Sequence, residues 1–286
     1  MKYLLTGVTG ELGNYVFEYL KEQVALEDIA VLVRSEEKAA PFKKEGVEVH
    51  IADFGDYDRL LQAFKGVDRM LFVSSQPGAP VSRGEQHKNV VAAAKETGIS
   101  FIAYTSFPKG ADSNSFLAQD HILTENLLTE SGIAHTFLRN NWYLENEAAI
   151  IQAAVSGHPF TYSAGEGKVG WALKREYAEA AVNVLTNKVP TPEVLELSGP
   201  LTTYAELAEA LKVASVKEFD VISMSDADYK EVLVNSGVPE SGINFVLPLQ
   251  KDIREHQLEV DSSDFEKTLG KPLTPLVDAL KEFLGE

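Results

Sequence analysis

The chain of 286 residues contains no cysteine. Disulfides, thiolate catalysis and cysteine-ligated metal sites are excluded at once, and a reducing compartment fits the composition. Positive charge is scarce: 26 Lys and Arg face 43 Asp and Glu, a net of −17. Such a surface repels nucleic acid and anionic membranes, so neither is expected as a partner. No apolar run reaches the length of a membrane span. Met1 leads straight into an apolar strand pattern with no basic leader, which predicts a cytoplasmic protein. The 6 histidines are scattered and form no HExxH pair, so no metal site is expected. A GxSxG nucleophile elbow is absent as well. None of the 10 tyrosines has a lysine four residues on, which removes the Tyr-x-x-x-Lys proton-donor pair of ordinary short-chain reductases.

Apolar content, 44%, is sufficient for a large core. Short continuous apolar runs at 3–5, 29–33, 47–51, 70–73, 101–104 and 136–138 alternate with helical patterns near 12–23, 57–65, 84–97 and 118–131. Continuous rather than alternating runs mark strands buried on both faces. The βα alternation predicts an α/β fold with a doubly wound parallel sheet, a Rossmann domain. A further strand at 194–197, fed by a helix near 175–187, extends it. The expected division is a dinucleotide-binding domain of 1–141 and 169–197, with 142–168 and 198–286 forming a smaller substrate lobe.

The densest signal is Gly7-Val8-Thr9-Gly10-Glu11-Leu12-Gly13, behind Tyr3-Leu4-Leu5 and ahead of a helical face carrying Val16, Leu20 and Val24. Strand, glycine turn and helix is the context of a dinucleotide site: glycines allow the tight turn and close approach to a pyrophosphate, and the helix N-terminus offers free N–H groups. The segment therefore nominates Gly7, Thr9, Gly10, Glu11, Leu12 and Gly13. Its GxxGxxG spacing is that of short-chain and extended dehydrogenases/reductases. The second strand ends in Arg34, where an NAD-selective site carries Asp or Glu for the ribose hydroxyl. A guanidinium instead grips a 2′-phosphate, with Lys38 near enough to add charge, so NADP(H) is expected over NAD(H). The alternative is a solvated loop arginine. Asp53, after the third strand, either meets the adenine or caps the helix beginning near Tyr57. Ser74, Ser75 and Gln76 end the fourth strand, where ligands of such sheets bind.

Three features fall near the expected reducing end. Thr105 closes the fifth strand, His121 opens the following helix, and Arg139-Asn140-Asn141-Trp142-Tyr143 ends the sixth. Arg139 is either a ligand or a structural ion-pair residue. Trp142 and Tyr143 are either core aromatics or stacking faces for a flat acceptor. Thr105, His121 and Tyr143 are the candidates for the catalytic pocket.

Together TGVTGELG (6–13), VRS (33–35), ADFGD (52–56), NVVAAAKETGISFIAYTS (89–106), HILTENLLTESGIAHTFLRNNWYLEN (121–146) and AGEGKVG (164–170) resemble the NmrA-like atypical short-chain reductases, in the branch of bacterial NAD(P)H:quinone and triphenylmethane reductases. The resemblance implies NADPH held by residues 7–13, Arg34, the 74–76 turn and Arg139, Asn140, Asn141 and Trp142. It also implies Lys174, where relatives often have arginine. It implies hydride delivery to a quinone or similar flat acceptor, with no metal or flavin. In plant isoflavone-reductase cousins a lysine stands where His121 stands here, so their alkene or ether chemistry is not expected. A second reading stays open: some NmrA-like proteins bind NADP without turnover and act as redox-sensing regulators. The oligomeric state, a homodimer included, is likewise open.

Overall fold

A computed structural model describes residues 1–76, 78 and 80–285. The chain runs β1 (Tyr3–Leu5), α1 (Glu11–Lys21), β2 (Ile29–Val33), α2 (Glu36–Glu45), β3 (Glu48–Ile51), α3 (Tyr57–Ala63), β4 (Arg69–Phe72), α4 (Arg83–Thr97), β5 (Phe101–Ser106), α5 (Gln119–Ser131) and β6 (Ala134–Asn140). Then come β7 (Trp142–Tyr143), α6 (Ala148–Val155), β8 (Phe160–Tyr162), β9 (Lys168–Val169), β10 (Trp171–Ala172), α7 (Lys174–Leu185) and β11 (Val194–Leu197). The last stretch holds β12 (Thr202–Thr203), α8 (Tyr204–Ser215), β13 (Val221–Ser223), α9 (Asp226–Asn235), α10 (Glu240–Arg254), α11 (Asp264–Leu269) and α12 (Leu276–Leu284).

Seven strands form one sheet in the order β11-β6-β5-β4-β1-β2-β3, and every neighbouring pair is parallel. Alternate residues of each strand serve opposite cores. Leu5, Val31 and Ala103 pack under α1 and α7, whereas Leu4, Leu32, Phe72 and Tyr104 pack under α3 and α4. Burying one such side chain contributes about 1.5–3 kcal/mol, so both faces drive the sheet to close. The chain winds outward in both directions from the adjacent β1 and β4, and this topological switch opens a crevice at their carboxyl ends.

Local chemistry sets the helix ends. Ser35, Asp56 and Ser82 cap α2, α3 and α4 with side-chain oxygens, satisfying first-turn amides that have no helical partner. The cap of α3 is thus Asp56, which removes the capping alternative for Asp53, whose carboxylate accepts from the Gly55 amide at 2.8 Å. Helix α2 is absent from the sequence expectation.

A second core gathers Trp142, Leu144, Ile151, Phe160, Trp171, Tyr204, Leu207 and Leu280. Three two-stranded ribbons, β7 with β10, β8 with β13 and β9 with β12, tie its segments together. Phe265 and Leu269 of α11, by contrast, join the sheet core beside α7. Among the described residues, no helix is long and apolar enough to cross a membrane.

Candidate active site

Three glycines shape the turn between β1 and α1, each for a different reason. Gly7 takes φ +68°, and a Cβ there would come within 2.9 Å of Val73. Gly13 sits so close to the strand end that a Cβ would lie 2.2 Å from the Gly7 carbonyl oxygen. Both are required by the protein's own packing. Gly10 is different: its φ of −91° suits any residue, and the nearest atom to an added Cβ is 3.5 Å away. Among the described residues nothing demands glycine at this position. Gly10 is the N-cap of α1 and offers no side-chain cap. The amides of Glu11, Leu12 and Gly13 therefore face outward with the positive end of the helix dipole.

This turn floors a groove of about 610 Å³, a normal size for a cofactor cleft. At one end stand Arg34 and Lys38, both exposed. Neither meets a carboxylate among the described residues, although acids outnumber bases 43 to 26 across the chain. Asp53 and Phe54 line the same end. The arrangement fits an adenosine carrying a 2′-phosphate: two free cations, an apolar face, and arginine rather than a carboxylate directly after β2.

At the other end lie Ser74, Ser75, Gln76, Gln86, Thr105, Tyr143, Asn146 and Lys174. The 74–76 turn is held from behind. The Ser74 amide donates to Thr105 Oγ1 at 2.9 Å, and the Ser75 amide donates to His87 Nε2 at 3.1 Å. Thr124 spends its hydroxyl proton on the Asp120 carbonyl at 2.6 Å, so His87 donates from Nδ1 to Thr124 at 2.7 Å. Burial, with the charge of Arg83, drives the His87 pKa down to about 3. His87 is thus a neutral prop.

Lys174 is committed to Glu11 across the groove and lies 5.9 Å from the centre of the Tyr143 ring. The Tyr143 hydroxyl accepts from Asn140 Nδ2 at 2.9 Å. Its pKa is pushed up to about 12, first by burial, so it lacks the lowered pKa of a lysine-assisted tyrosine.

His121 does not reach the groove wall. It is 8% exposed, behind Thr105. Arg83 Nη2 donates to its Nε2 at 2.9 Å. Since a guanidinium only donates, Nε2 carries the lone pair, and Nδ1–H points to the Tyr104 hydroxyl at 3.1 Å. Burial first, then Arg83, hold its pKa well below the ordinary histidine value.

Four of the nominated residues also turn away from the groove. Arg139 donates to Glu125 at 2.9 and 2.7 Å and to Glu196 at 3.0 Å, locking β6 to α5 and β11. Asn141 Nδ2 donates to Ser198 and to the Leu258 carbonyl. Trp142 Nε1 donates to Glu147 at 3.1 Å, and Asn140 serves Tyr143. A strand end fixes the height of these residues but not the face they take. The groove in turn includes Gln86 and Asn146, neither of which the sequence nominates as a site residue. Gln86 and His87 were findable only as polar residues on the buried face of α4, directly after the serine turn.

Known proteins share this arrangement. Residues 7–188 match the profile of the NAD(P)H-binding family. Quinone oxidoreductase 2 of Escherichia coli (strain K12) is 36% identical over 282 residues, 98% of each chain. The crystal structure of the NADPH-dependent quinone oxidoreductase of E. coli complexed with NADPH superposes with a TM-score of 0.92 over 99% of both chains. That of Citrobacter sp. triphenylmethane reductase complexed with NADP(H), 32% identical, gives 0.92 over 98% of this chain and 99% of that one. With its glycine turn, its free cations at the strand end and its parallel sheet, the chain belongs to the NAD(P)H-binding family.

Proposed function

We propose that the protein is an NADPH-dependent quinone oxidoreductase. One observation carries the reading: a complete NADPH groove ends in a reducing pocket with no tuned proton donor. Tyr143 keeps its proton with a raised pKa, and His121 is neutral with both ring nitrogens engaged. A carbonyl reduced to an alkoxide needs such a donor, worth about 10²–10⁴-fold. A quinone gains an aromatic phenolate, a far weaker base, and water suffices to protonate it.

The chain's own residues then act mainly by holding and orienting. Amides of residues 11–13 and the bare Gly10 backbone receive the pyrophosphate, while Arg34 and Lys38 take the 2′-phosphate. Thr105 and His87 fix the 74–76 turn beneath the nicotinamide. NADPH, when bound there, supplies the hydride. Tyr143 and Asn146 border the acceptor, which the parts of 142–168 and 198–286 that build the second core close in.

Steady-state NADPH oxidation with a panel of quinones, triphenylmethane dyes and simple aldehydes tests this. Turnover with quinones well above that with aldehydes is expected. Tight NADPH binding with no oxidation by any acceptor would instead make the protein a binding regulator.

A further inference from the structure

Arg83 opens α4 and is only partly buried. Its Nη2–H donates to His121 Nε2 at 2.9 Å, whereas its Nε–H is buried and meets no acceptor among the described residues. No carboxylate oxygen within 4.0 Å pairs with it among the described residues; the neighbouring Glu85 is turned to Lys88. In a chain of net charge −17, a guanidinium set into the protein without a carboxylate is unusual, because buried charge is normally paired. Its one hydrogen-bond partner among the described residues is a neutral ring, which offers a lone pair and no negative charge.

That ring is itself fixed. His121 Nδ1 is engaged by Tyr104, and Phe107 flanks the imidazole at 5.9 Å between ring centres. The arginine is thus aimed rather than tethered at random. Arg83 and His121 stand outside the groove lining proper, next to its reducing end: Gln86, one turn on along α4, and Thr105, next to Tyr104 that engages His121, both line it. Leu123, 43% exposed, lies against Gly84, so the opening beside Arg83 has an apolar side.

We propose that Arg83, aligned by the neutral His121, is the acceptor-facing cation of this site: it stabilises the oxyanion formed on the quinone and selects acceptors that already carry an anionic group. The proposal rests on the quinone-reductase reading for its chemistry. Hydride addition moves two electrons and one proton onto the quinone, leaving NADP⁺ and a hydroquinone monoanion. The remaining oxyanion pairs with the guanidinium charge of Arg83 and then takes a proton from water. Charge stabilisation by a permanent cation thereby stands in for a general acid. His121 is a positioning residue: while neutral, its Nε2 keeps the lone pair that accepts from Arg83.

The test compares wild type with Arg83→Met and Arg83→Lys, using a naphthoquinone sulfonate and its uncharged parent. Equilibrium binding of each quinone to the NADP⁺-loaded protein is read by fluorescence titration, alongside kcat, KM and NADPH affinity. A charge-assisted hydrogen bond predicts a loss of about ten- to a hundredfold in sulfonate affinity for Arg83→Met. The uncharged quinone should lose kcat by a similar factor with little change in KM, Arg83→Lys should recover part of both, and NADPH affinity should stay constant. Unchanged preference for the sulfonate together with kcat within twofold of wild type would overturn the assignment, as would a matching loss of NADPH affinity. A wild type that binds the sulfonate through Arg83 but oxidises no NADPH would sink the quinone-reductase reading and leave the Arg83 site standing.

Discussion

The three glycines of the turn lend themselves to a separation of fold from binding. Gly10→Ser adds a side chain where the apo protein has room, 3.5 Å from the nearest atom. It also places a favoured N-cap on an uncapped helix, worth a few tenths of a kcal/mol over glycine. The apo protein should melt unchanged or about 1 °C higher. The same atoms crowd the pyrophosphate, at about 1–3 kcal/mol for overpacking, or roughly five- to 150-fold in Kd. At an NADPH concentration of about 100 times the wild-type Kd, ligand linkage contributes about 2.7 kcal/mol. That corresponds to about 5–10 °C for a chain of this size. A hundredfold weaker variant keeps only about 0.4 kcal/mol under the same conditions, a shift near 1 °C. Gly13→Ala should behave in the opposite way. Its Cβ meets backbone at 2.2, 2.6 and 2.8 Å, so the apo protein should lose about 3 kcal/mol or more and melt about 6 °C or more lower. Differential scanning fluorimetry with and without NADPH reads both effects. A Gly10→Ser protein with the full NADPH shift would refute the seat of the pyrophosphate, and a Gly13→Ala protein with wild-type apo melting would refute the packing argument.

Arg34→Ala should raise the KM for NADPH about ten- to a hundredfold, the value of a charge-assisted contact, and change that for NADH little; an undiminished preference for NADPH would make Arg34 a bystander. Acid should expose His87. Its pKa falls from 6.5 to about 3 in the fold, so the unfolded chain binds more protons between these values. The stability from keeping it neutral is complete above pH 6.5 and is lost as pH falls, by about 1.4 kcal/mol per unit. Urea unfolding of His87→Gln between pH 6.5 and 4.5 should show a slope shallower than wild type by that amount, and equal slopes would mean that the folded state already carries the proton.

Strands were legible because burial on both sheet faces writes an unbroken apolar run, as in Ile29–Val33. Helix α2 was not, because its sequence EEKAAPFKKE buries only Ala39 and Phe42 and contains Pro41. The small ribbons pair two or three residues each, too few for any period. At the site, glycine spacing and strand ends revealed the groove floor, since the backbone alone sets those positions. Side-chain direction was the lost information. Tyr143 and Trp142 are sequence neighbours at one strand end, yet the first lines the groove and the second bonds Glu147 in the second core. Arg83 and His87 were equally invisible, because their roles depend on partners 38 and 12 residues away.

Glu147 is fully enclosed, and a single one of its oxygens receives Trp142 Nε1 at 3.1 Å, Trp171 Nε1 at 3.2 Å and the Tyr204 hydroxyl at 2.9 Å. The donors come from both sides of β11 in the chain, and β11 pairs with β6 in the main sheet. The carboxylate is therefore satisfied only where pieces separated by that edge strand meet, since a stranded acid in an apolar centre opposes closure. The same dependence makes the second core non-portable. Cut out of this chain, or exchanged with a relative's, it would leave behind the strand that closes it.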